Sequence, residues 1–150
     1  MEHSLSNLER SRGAAHWTVL VVALLAPVPL VAGRMLLTPS PAGHGTHTQL
    51  GLPPCQTMNW FGVPCPGCGV TTSFAWFAHA DLWESLRTQP LGFAIGMVAL
   101  LAAPLAVLAH VRGLDLGEQL RARNRYSTWF AVGVFAAAAW VYKLAVVWLS

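Results

Sequence analysis

Three stretches of this chain carry almost no charged residue, and polar segments separate them. Over 14–33 the only titratable side chain is His16, and Arg34 ends the run. The stretch 90–111 holds only His110, at its far end, and 127–149 holds only Lys143. Each is close to the roughly 20 residues that cross a hydrocarbon core. Apolar residues do not alternate with polar ones, and the runs are too long for strands. The pattern predicts membrane helices over about 14–36, 90–111 and 127–149, within a single membrane domain spanning 1–150. Pro27, Pro29 and Pro104 fall inside these spans, where they kink a helix that the membrane otherwise tolerates. Trp17, Tyr126, Trp129 and Trp148 lie near span ends, as an interfacial aromatic belt requires.

The 38–89 connection is too long for a turn. Thr38-Pro39-Ser40-Pro41-Ala42-Gly43 reads as an extended linker. Helical spacing of Val70, Phe74, Phe77 and Ala78 predicts a helix from Val70 towards His79, with Thr71, Thr72 and Ser73 in its first turn. A second short helix follows Asp81, with Glu84 three residues on as in a capping box. Leu82, Trp83 and Leu86 form its apolar side, and Pro90 stops it. Such helices lie at the membrane interface. The fold class expected is an all-α integral membrane protein: three transmembrane helices plus one or two short interfacial helices in a cysteine-containing loop.

Composition agrees. The chain is 55% hydrophobic and 10% charged, against roughly a quarter charged in soluble domains. The net charge of +3 forms no basic stripe, which argues against nucleic acid. Arg10, Arg12, Arg112, Arg121, Arg123 and Arg125 flank one side of the predicted spans; Arg34 and Arg87 lie on the other. The asymmetry puts the N-terminus in the cytoplasm and the cysteine loop outside. A competing reading makes the first run a cleaved signal peptide ending near Val31-Ala32-Gly33. Its length and extended charged region favour an uncleaved span.

The chemistry is concentrated in Cys55 and in Cys65-Pro66-Gly67-Cys68. The run Pro53-Pro54-Cys55, then Gly62-Val63-Pro64-Cys65-Pro66-Gly67-Cys68-Gly69-Val70-Thr71, His79-Ala80-Asp81 and Gln89-Pro90-Leu91-Gly92 resembles the bacterial membrane family catalogued as domain of unknown function 2752. The resemblance covers about residues 44–109. It implies a small multi-span protein of the bacterial inner (plasma) membrane and brings no assigned activity. Many similar members carry arginine where Thr72 stands here and histidine where Ala75 stands.

Three uses of the thiols remain open at this level. A Cys-Pro-x-Cys-Gly turn resembles a zinc knuckle, with Cys55, Cys65 and Cys68 as ligands and His47, His44 or His79 as the fourth. An oxidising compartment disfavours that use. A redox site places Cys65 at a helix N-cap with Pro66 at the first helical position, which makes Cys65 the attacking thiol and Cys68 the resolver. A structural disulfide from Cys55 to Cys65 or Cys68 pins the loop and leaves one thiol over. No catalytic residue is assigned. The leading expectation is a non-enzymatic membrane module with a disulfide- or metal-stabilised outer loop. It sits in the lipid bilayer and associates with another membrane protein or a second copy; the alternative is a membrane thiol–disulfide exchange protein. Arg34 and Lys143 are expected to snorkel to the interface. Gly92 and Gly96 have the spacing of a close packing face.

Overall fold

The computed structural model describes residues 13–122 and 125–149. Arg10, Arg12 and Arg123, and the side chains of Arg121 and Arg125, lie outside what it describes. The described chain is helical, without a strand: α1 (Ala14–Leu25), α2 (Val28–Leu36), a 3₁₀ turn (Thr46–Leu50), α3 (Gln56–Phe61), α4 (Val70–Ala78), α5 (Leu82–Thr88), α6 (Pro90–Val111), α7 (Leu116–Ala122) and α8 (Arg125–Leu149). Three helical stretches are long and apolar enough to cross a bilayer: Ala14–Leu36, Pro90–Val111 and Tyr126–Leu149. This is the arrangement of a multi-pass membrane protein.

The first span breaks where the prolines stand. Pro27 has no N–H to offer Ala23, so Ala26 N–H reaches that carbonyl instead, at 3.3 Å. Pro104, by contrast, lies within an unbroken α6. At the end of α6 remote from the cysteine loop, His16 is fully buried. Its Nδ1 accepts the Leu116 N–H at 3.1 Å, so the proton of the neutral ring is on Nε2. That Nε2 lies 3.0 Å from His110 Nδ1 and ties the first span to the second.

At the loop end, α4 lies directly on α6. A Cβ at Gly96 would stand 2.5 Å from the Phe77 ring, and one at Gly92 2.6 Å from the Val70 carbonyl oxygen. Those glycines are therefore the seat of α4. Helix α5 folds back along α4 through buried hydroxyls: Ser85 Oγ donates to the Ser73 carbonyl at 2.8 Å, and Ser73 Oγ lies 2.8 Å from both the Ser85 and Gln89 carbonyls. Asp81 caps α5 as expected, its Oδ1 accepting the Glu84 N–H at 3.0 Å. The Glu84 carboxylate turns instead to Arg87, so only half of the capping box forms. The α4–α5 pair thus forms a small platform on the first turns of α6, and the cysteine segments are built against it.

Candidate functional site: a three-thiol cavity

Cys55 is the residue before α3. The prolines at 53 and 54 hold the chain extended up to it, and Gly62 ends the helix with a left-handed turn. Cys65 and Cys68 then sit in a tight turn closed by Cys68 N–H to the Cys65 carbonyl at 2.9 Å. Gly69, at φ +85°, comes next, and a Cβ there would stand 2.7 Å from the Gly43 carbonyl oxygen. Helix α4 starts only at Val70. Cys65 is therefore not an N-cap and Pro66 is not a first helical residue, which corrects the sequence-based geometry for an activated Cys65. Gly67 and Gly69 make the segment a turn and delay the helix.

These segments close around a cavity of about 420 Å³ whose wall includes Cys55, Cys65, Cys68, His44 and His47. Thr71 and Thr72, from the first turn of α4, complete one side. Thr72 is buried and accepts a hydrogen bond from Thr46 Oγ1 at 2.9 Å, which fixes the 3₁₀ turn on α4. His47 Nε2 lies 3.1 Å from the Pro53 carbonyl and so carries the proton there. Cys55 and Cys65 are half-buried and Cys68 is buried.

The three sulfurs are not equivalent. Cys55 Sγ lies 3.2 Å from Thr57 Oγ1. That hydroxyl, helped by the Met58 N–H and the Cys65 thiol, lowers the Cys55 pKa from 9.0 to about 7. Burial and then hydrogen bonding to Cys55 push Cys65 up. Burial, followed by repulsion from Cys55 and Cys65, pushes Cys68 up to about 11. The cluster thus favours one negative charge, and it favours it on Cys55. His44, beside this wall, is held below its ordinary value of 6.5 by burial and then by the Lys143 charge.

Not every sequence-predicted candidate belongs here. His79 follows the far end of α4, where Nε2 donates to the Leu37 carbonyl at 2.9 Å and Nδ1 receives Arg34. Among the described residues, no three or more His, Cys, Asp and Glu side chains are already set at metal-holding spacing. Lys143 departs from expectation. It is 3% exposed rather than snorkelling, and its Nζ donates to the Gly43 and Thr88 carbonyls. Arg34 does stay exposed. Thr57, by contrast, carried no signal in the sequence beyond standing two residues after a cysteine.

No curated protein and no solved structure matches the chain. A family model does match, over the segment that holds the thiols. Residues 55–103, from Cys55 through most of α6, match the family described as "Protein of unknown function (DUF2752)", the family that the Cys-Pro-Gly-Cys segment resembles.

Proposed function

We propose that this chain is a small membrane module whose cysteine loop, facing away from the cytoplasm, is shaped by covalent closure of Cys55 onto Cys65. One observation carries the reading: Cys55 and Cys65, from separate stretches of the loop, line one cavity and are both half-buried there, whereas Cys68 is buried. Closure ties α3 to the turn ahead of α4. A disulfide of this kind stabilises by about 2–4 kcal/mol, chiefly by restricting the unfolded chain. Cys68, at 5% exposure, stays reduced behind them. The module's partner is another membrane protein or a second copy of itself.

The test is the thiol and metal inventory in native membranes. A membrane-impermeant thiol reagent, applied to intact cells before and after reduction, should label Cys55 and Cys65 only after reduction. Elemental analysis of the purified protein should find no stoichiometric metal. Labelling only after the membrane is broken would reverse the orientation. Stoichiometric zinc lost on Cys68→Ala would replace covalent closure by a metal site at the same thiols.

A further inference from the structure

We propose that Cys55 is the attacking thiol of a thiol–disulfide exchange site, with Cys65 as the resolving thiol and a disulfide on another protein as substrate. The inference rests on the Cys55–Cys65 pairing proposed above and adds an activity to it.

The geometry separates the two roles. Cys55 and Cys65 are both half-buried on the cavity wall, whereas Cys68 is buried. Thr57 Oγ1 stands 3.2 Å from Cys55 Sγ and donates to it when the sulfur is ionised. A thiolate is the nucleophile in exchange, and the most effective attacking thiol has a pKa close to ambient pH. Cys55, at about 7, meets that condition; Cys65 is shifted the other way. The other titratable or charged groups around the cavity are His44, His47 and Cys68, with Lys143 close behind at Gly69. None is a carboxylate, so nothing described there opposes the charge on Cys55 by like-sign repulsion except the neighbouring thiols.

The Cys55 thiolate attacks one sulfur of the substrate disulfide; a Cys55–substrate bond forms and the other substrate sulfur leaves as thiolate. Cys65 then gives up its proton and attacks Cys55 Sγ. The Cys55–Cys65 disulfide forms and the second substrate sulfur leaves. The substrate has gained two electrons and the chain has lost two, so a dithiol donor must return it to the reduced form. Run backwards, the same steps oxidise a substrate dithiol. Thr57 acts through Cys55 and is a positioning residue.

The experiment uses the reduced full-length protein in detergent and glutathione disulfide as the probe. Cys65→Ser should trap a stable mixed disulfide on Cys55, and Cys55→Ser should abolish it. Rate against pH for wild type should rise with a midpoint near 7. Thr57→Val should move that midpoint upward and slow the reaction at neutral pH by about threefold to tenfold, since the thiolate fraction falls while each thiolate becomes more nucleophilic. Thr57→Ser should restore both. Mixed disulfide forming first on Cys65 or Cys68, or a pH midpoint unmoved in Thr57→Val, overturns the inference. If no thiol reacts with the probe while native membranes hold a Cys55–Cys65 disulfide, exchange fails and loop closure stands.

Discussion

Lys143, in the C-terminal span, donates from Nζ to the carbonyl oxygen of Gly43 at 3.0 Å, a hundred residues away in sequence. It donates again to Thr88 at 3.2 Å, while Trp140 Nε1 reaches the Pro64 carbonyl at 3.0 Å and Tyr142 the Arg87 carbonyl at 2.8 Å. One stretch of α8 thereby holds the linker, the residue before Cys65, and the end of α5. Lys143→Met removes the charge-assisted bonds and leaves two carbonyls without their donor. The lost bonds outweigh the relief of burying a charge, so the expected net loss is about 1–3 kcal/mol. Tyr142→Phe, which loses one bond to an exposed carbonyl, should lose about 1 kcal/mol or less. Thermal unfolding in detergent, followed by circular dichroism, measures both.

The contact of Gly92 and Gly96 with α4 predicts a graded response. Gly96→Ala forces Cβ against the Phe77 ring, and Gly92→Ala forces it against the Val70 backbone and Ser73. Overpacking of this kind costs about 1–3 kcal/mol. Gly133→Ala, with open space around it, should be neutral or slightly stabilising. The same unfolding assay compares the three.

Much of this fold was legible and some of it was not, for physical reasons. Spans are set by uninterrupted apolar length, and the observed 14–36, 90–111 and 126–149 differ from the expected bounds by one residue at one end. The Asp81 cap could be read because it is local. The Gly92/Gly96 spacing announced close packing, but only the fold shows that the neighbour is α4. Lys143 does not snorkel because snorkelling requires lipid around the stem, whereas here loop carbonyls converge on the ammonium. Cys65 stands in a turn and not at a helix start because Gly67 and Gly69 weigh against a helix more than Pro66 weighs for one. Short α3 and α7 lack the length that makes periodicity visible.

Gln89 offers a test of the platform. Its side chain is fully buried and neither amide atom has a hydrogen-bond partner. An unpaired buried amide costs about 1–3 kcal/mol. Gln89→Met keeps the volume and removes the orphaned groups, so the unfolding temperature should rise. A fall would show that the amide has a bound partner in the membrane.

The unequal thiols predict how stability follows pH under reducing conditions. Between about 7 and 9 the folded chain has released the Cys55 proton that the unfolded chain retains, so stability rises with pH. Above 9 the sign reverses, because Cys68, pushed up to about 11, and Cys65 keep protons that the unfolded chain has lost. Denaturation at a series of pH values should therefore peak near 9. Cys55→Ser should abolish the rising limb and leave the falling one.

The most direct test of the account is a disulfide map. After mild oxidation of the protein in its membrane, protease digestion under non-reducing conditions and mass spectrometry identify which cysteines are joined. The account predicts a Cys55–Cys65 link with Cys68 free. A Cys65–Cys68 link as the main product, with Cys55 free, would contradict it.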